Sequence, residues 1–98
     1  MKDIISQLNK MFESRIRLGI MSVLMVNDWV DFSVLKETLG VTDGNLASHI
    51  SALEKAGLIE VRKEFVAKKP KTSFRVTLLG RKEFAEHLAI LGNIIKQQ

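Results

Sequence analysis

The sequence predicts a mainly α fold with a small β-hairpin, α+β in class. Three observations lead there. Apolar residues recur at helical spacing through the first 57 positions, the period switches to two from Leu58 to Thr77, and helical spacing returns after Thr77. Ninety-eight residues suit one domain spanning 1–98, with chain enough for a modest core but not for a large catalytic cavity. At 46% hydrophobic and 27% charged, the composition is that of a folded chain rather than a disordered one.

Residues 2–12 read as a short helix with Ile4, Ile5, Leu8, Met11 and Phe12 on one stripe. Ser14 is placed to cap a second helix running to about Val26. In that helix Ile16, Ile20, Val23 and Leu24 form one apolar face and Leu18, Met21 and Met25 another. A helix apolar on two sides is buried from two directions, either as the centre of its own core or between its core and a second subunit. Trp29–Phe32 alternates and suits a brief strand, with Trp29 or Phe32 closing the core. Ser33 then caps a short helix to Leu39, and Gly40-Val41 makes a tight turn.

Thr42 caps the next helix, about 43–56, and Gly57 suits the left-handed position just past its end. Leu46, Ile50 and Leu53 fall on its inner side. Its outer side carries Gly44, Ser48, Ser51, Ala52 and Lys55, flanked by Asn45 and His49. A face made only for solubility is usually rich in Glu and Lys; this one is small and nearly uncharged, as close approach to a partner requires.

From Leu58 to Val66, Ile59, Val61, Lys63 and Phe65 alternate with Glu60, Arg62, Glu64 and Val66. Ala67–Lys71 reads as a turn containing Pro70, and Thr72–Thr77 alternates again. These make a hairpin over about 58–77. Thr77 caps the last helix, about 78–96, where Gly80 allows close packing beneath the first turn. Phe84, Leu88, Leu91 and Ile95 follow a near-heptad spacing.

Charge is distributed unevenly. Residues 1–57 carry a balance of −1 and residues 58–98 a balance of +5. Arg62, Lys63, Lys68, Lys69, Lys71 and Arg75 against Glu64 alone give +5 within fourteen residues. Helix, turn, helix, then a hairpin with a basic tip, then a terminal helix is winged helix-turn-helix topology. In that topology one helix enters the major groove and reads base edges mainly from its N-terminal residues, while the hairpin neutralises phosphates.

The run N-L-A-S-H-I-S-A-L-E-K-A-G-L-I-E-V resembles the recognition helix and following strand of small bacterial and archaeal winged-helix regulators of the broad MarR/ArsR kind. Its continuation F-V-A-K-K-P-K-T-S-F-R-V-T-L-L-G-R-K-E-F is similar to the wing and final-helix start of a compact subgroup. Together the similarity covers about residues 14–90. It implies a homodimeric regulator of transcription, with DNA contacts from Thr42, Gly44, Asn45, Ser48 and His49 on the helix and from Lys68, Lys69, Lys71 and Thr72 on the wing. It also implies dimer contacts from Phe84, Leu88, Leu91 and Ile95, joined by Ile4, Leu8 and Phe12. The chain departs from metal-sensing relatives in lacking thiolate ligands, and it is shorter than typical MarR proteins.

The function expected is therefore sequence-specific recognition of double-stranded DNA by a homodimeric repressor in the cytoplasm. The alternative is a winged-helix interaction module docking an acidic protein. Binding to RNA or single strands is weaker, because aromatic residues for base stacking are scarce. With no cysteine, disulfides and thiolate metal sites are excluded, and no metal or cofactor is expected. No apolar run is long enough for a membrane span, and no signal peptide is apparent. Neither a catalytic triad nor a phosphate-cradling loop nor paired carboxylates are present, so no catalytic residue is assigned. His49 sits at the edge of the buried stripe, where a core-edge hydrogen bond and a DNA contact are both open. His87, beside Glu83 and Glu86, is expected at the solvent-facing side of the last helix, and Arg15 and Arg17 as exposed helix charges.

Overall fold

The computed structural model describes residues 2–97, leaving the two ends of the 1–98 unit outside the described residues. Helix α1 (Lys2–Ser6) leads through a 3-10 turn (Lys10–Phe12) to α2 (Arg15–Met25). Strand β1 (Val30–Asp31), α3 (Phe32–Leu39), α4 (Asp43–Lys55), β2 (Ile59–Val66), β3 (Lys69–Val76) and α5 (Leu78–Lys96) follow. The three strands form one antiparallel sheet in the order β1-β3-β2.

The centre is α2. Ile20, Met21 and Leu24 are completely buried, against Leu35 of α3, Leu46, Ile50 and Leu53 of α4, and Ile59, Phe74 and Val76 of the sheet. Ile16, Leu18, Val23 and Met25 of its two apolar faces are half-buried against this cluster. Close helix contact is permitted by Gly19, where a Cβ would stand 2.7 Å from Leu39 Cδ2. Gly80 does the same under α5: a Cβ there would collide with the carbonyl oxygen of Leu58. Thr77 joins the two elements, its hydroxyl oxygen accepting from the Gly80 amide at 2.9 Å while its proton goes to the Gly57 carbonyl at 2.7 Å.

Several local expectations are corrected. The 2–12 stripe is not one helix: it breaks after Ser6, and Asn9 caps the 3-10 turn by accepting from the Met11 amide. Ser33 does not cap α3, which starts two residues earlier, at Phe32, with Asp31 at the N-cap. Asp31 makes no cap bond, because its carboxylate accepts the Ser73 hydroxyl at 3.0 Å and lies 3.7 Å from Lys71 Nζ. The hairpin turn is Ala67-Lys68 alone rather than Ala67–Lys71. Both residues have positive φ, 52° and 65°, as in the mirror-image turn that matches strand twist. Pro70 therefore lies inside β3, beyond the point where β1 pairs, so its missing N–H faces an open edge.

His87 is buried, not solvent-facing. The inward stripe of α5 is Gly80, Phe84 and His87, so of the stripe expected at a dimer interface only Phe84 is turned into the protomer's own core. The segment after α1 folds over it: the Asn9 backbone amide donates to His87 Nδ1 at 3.2 Å, and Asn9 Nδ2 donates to Glu83 at 2.8 Å. Phe12 packs edge-on against both Phe84 and His87, with centroids 5.1 and 5.2 Å apart. An accepting Nδ1 leaves the proton of the neutral ring on Nε2. Beyond His87 no described residue of α5 is fully buried, and Ile90, Leu91, Gly92 and Ile94 are half-buried.

Candidate nucleic-acid interface

Helix α4 is seated by Leu46, Ile50 and Leu53 and started by Thr42, whose hydroxyl oxygen accepts from the Asn45 amide at 3.2 Å. The Thr42 proton stays available to an outside acceptor. Gly44, Asn45, Ala47 and Ser48 are all exposed. At Gly44 a Cβ would meet nothing within 4 Å, and φ is not positive there. Neither packing nor backbone geometry requires glycine, although glycine in a helix disfavours folding by up to ~1 kcal/mol relative to alanine. The space is open to the outside. The one acid of the first turn, Asp43, is matched by Lys36 at 2.8 Å. His49 stands half-buried and accepts from Arg17 Nε at 3.1 Å, so it holds a core-edge hydrogen bond. Arg17, expected as a free surface charge, is half-buried and also donates to the Met11 carbonyl at 3.2 Å. This arginine ties the start of α2 to α4.

The hairpin has two unlike faces. In register, Ile59 pairs Val76, Val61 pairs Phe74, Lys63 pairs Thr72 and Phe65 pairs Pro70, all on the inner face. The outer face carries Glu60 with Arg75, Arg62 with Ser73, Glu64 with Lys71, and Val66 with Lys69. At the base of the outer face two guanidinium groups lie over the Trp29 ring, with Arg62 Cζ at 4.4 Å and Arg75 Cζ at 4.5 Å from its centroid. Arg75 is further bonded to Glu60 and lies 3.7 Å from Asp28, and Arg62 reaches Glu64 at 3.4 Å.

The basic run of 62–75 therefore splits. Arg62, Arg75 and, more loosely, Lys71 are engaged within the protomer. Lys63, Lys68 and Lys69 have no acidic partner among the described residues and are exposed. Lys63 is not among the residues singled out from sequence. Its signal is the strand parity, which puts it on the same face as Val61 and Phe65, turned towards α4. Between that face and α4 runs a crevice lined by Ala47, Ser51 and Glu54 on the helix side and by Val61, Lys63 and Thr72 on the wing side.

The other predicted cluster is divided. Phe12 and Phe84 are 1% and 3% exposed and belong to the protomer's own core, so no partner can cover them. Ile4, Leu8 and Leu91 are half-buried, while Leu88 and Ile95 are exposed, and Ile5 joins them.

With this geometry in view, the comparison with known proteins is direct. The profile of the winged helix DNA-binding domain family matches residues 16–95. The chain belongs to this family. A transcriptional regulator homologue from Pyrococcus horikoshii OT3 superposes with a TM-score of 0.86 at 33% identity, over 98% of this chain and 93% of that one. An uncharacterized protein of Methanocaldococcus jannaschii is 35% identical over 79 residues, 81% of this chain and 86% of the relative. The putative transcriptional regulator ytfH from Salmonella typhimurium has a TM-score of 0.72 at 27% identity, covering 90% and 77% of the two chains. A putative MarR-family regulator from Porphyromonas gingivalis, 24% identical with a TM-score of 0.67 over 89% and 80%, shares the fold. The resemblance to small winged-helix regulators, read from the 45–61 and 65–84 segments, is borne out. Among the described residues no helix is long and apolar enough to cross a membrane.

Proposed function

We propose that this chain is a sequence-specific regulator of transcription that binds double-stranded DNA as a homodimer and acts as a repressor in the cytoplasm. The observation that carries the reading is Gly44. A glycine that neither packing nor backbone demands opens the first exposed turn of α4, beside Asn45, Ala47 and Ser48. Such a helix start fits where a major groove must be entered closely. The wing stands beside it with three unengaged lysines, suited to phosphates and the adjoining minor groove. Asn45 and Ser48 supply base readout, and Thr42 positions them while offering its own proton to a phosphate. His49 acts through Arg17 to hold the helix rather than by contacting bases.

Exposed Leu88 and Ile95 in the C-terminal half of α5, with exposed Ile5 of α1, which contacts α5, supply the dimer surface. Gly92 supports this reading, since a Cβ there would meet nothing within 4 Å in its own protomer. Two recognition helices related by a dimer axis would address half-sites ~34 Å apart on one side of the duplex.

Selection of bound sequences from a random duplex pool tests the proposal, and an inverted repeat is the expected outcome. Light scattering of the purified chain should give twice the protomer mass, and Leu88→Glu with Ile95→Glu should halve it. If no duplex is bound even at low salt, the same face is free to serve an acidic protein partner and the DNA reading is lost.

A further inference from the structure

Phe65 is 78% exposed near the tip of the wing, and nothing in the protomer covers it. Its cross-strand partner is Pro70, also exposed, so the two make an apolar rung, the second from the Ala67-Lys68 turn. With Val66 also exposed beside it, the tip of the wing presents adjoining apolar side chains to the outside rather than a single scattered one. The hairpin itself does not need Phe65: Pro70 donates no ladder hydrogen bond, and the core ends at Val61 and Phe74. The rung lies on the inner face, the same face as Lys63 and Thr72, at the outer end of the crevice between wing and α4. Lys63 lies on the same face two residues back, Lys68 in the turn and Lys69 on the opposite face of the tip, none with an acidic partner among the described residues.

We propose that Phe65, backed by Pro70, packs against the deoxyribose wall of the minor groove next to the major groove that α4 enters. This rests on the DNA-binding reading of the chain. If α4 occupies a major groove and the wing the adjoining minor groove, one sugar–phosphate strand must pass through the crevice between them. Its phosphates meet cations at the rim, and its sugars present the apolar surface of that strand. An inner-face phenyl ring with Lys63 on its own face and Lys68 in the adjoining turn is complementary to both parts. Charge alone would be served by lysines, and apolar contact with groove walls is what the aromatic ring adds. Standing on the second rung from the turn, the ring lies along the groove wall rather than at the leading point of the hairpin.

The test measures binding of wild type, Phe65→Ala and Phe65→Leu to a short fluorescein-labelled random-sequence duplex across a salt series. Phe65→Ala should lose about ten-fold or more in affinity, from the apolar surface left uncovered. The slope of log affinity against log salt should stay at the wild-type value, because every phosphate remains neutralised as before. Phe65→Leu should retain most of the affinity, and both variants should unfold at the wild-type temperature. Hydroxyl-radical cleavage of the duplex should show sugar protection by wild type that Phe65→Ala loses. An affinity within two-fold of wild type for Phe65→Ala overturns the inference, as does a loss accompanied by a changed salt slope. A fall in protomer number by light scattering also overturns it, because the ring would then be covered by a second copy. Absence of wild-type binding is a distinct result that removes the DNA reading itself.

Discussion

Helix α4 and the wing flank one crevice but are built on opposite principles. The helix is anchored by three buried aliphatic side chains, and its outer face is nearly bare of charge. The wing is a two-stranded cantilever, buried only at its base, and it carries most of the positive charge of the second half of the chain. Within the wing the division repeats. Arg62 and Arg75 lie over Trp29 and reach acids, whereas Lys63, Lys68 and Lys69 are unengaged. Arg62 Nε is even buried without a hydrogen-bond partner among the described residues, a cost offset in part by the indole face. The lesson is that like charges in one basic run do unlike work. Arginine's planar group braces, and lysine's point charge stays available.

Breaking the anchored side should have the largest effect. Leu46→Ala empties a fully buried site between α2 and α4 and should lower stability by about 2–5 kcal/mol in urea denaturation, with DNA binding lost alongside. If binding survived such a loss, α4 would not be the part that must be held rigidly. Asn45→Ala should leave stability nearly unchanged but reduce discrimination between selected and random duplex by about 1–3 kcal/mol. Equal losses on both duplexes would remove Asn45 from base readout.

The cantilever can be loosened at its base or stripped at its tip. Trp29→Ala removes the shared face of two guanidinium groups and should lower stability by about 1–2 kcal/mol, with binding weakened on every sequence. Lys68→Ala with Lys69→Ala should leave the melting temperature within error of wild type. It should reduce the magnitude of the salt slope by about 0.9 for each phosphate no longer neutralised. Arg75→Ala makes the sharpest contrast with the lysines: stability should fall while the slope stays constant, because its charge is already answered by Glu60.

The smallest effect on folding is expected at Gly44. Gly44→Ala should keep or slightly raise stability, by up to ~1 kcal/mol, since the added methyl group meets nothing and alanine favours the helix. Its binding to duplex should nonetheless weaken. Unchanged affinity would mean that α4 does not approach its partner closely at that turn.

Much of this was legible in the chain. Thr42, Ser14 and Thr77 appear at the N-caps expected of them, Gly40 and Gly57 take left-handed conformations, and the inner stripe of α4 is Leu46, Ile50 and Leu53. These are short-range matters: a cap acts on an amide three residues away, and periodicity is a property of one helix. The wing turn was less legible because Ala67-Lys68 has none of the Gly or Asn that usually marks positive φ. There the pairing of flanking strands imposed what local preference did not.

What the sequence by itself determined was the order of elements, the inward face of α4, the parity of both wing strands and the location of the basic run. Those depend on spacing, which is written in the chain. Only the tertiary structure decided which groups along it are occupied. It set Arg17 against His49, Asn9 against His87 and Trp29 against Arg62 and Arg75, pairs separated by 32 to 78 positions. It also turned His87 and Phe84 of α5 into the protomer's own core and left Leu88 outside it. The physical reason is the same in each case. Whether a polar group faces water or a partner is set by what folds over it, and here the covering residues come from distant parts of the chain.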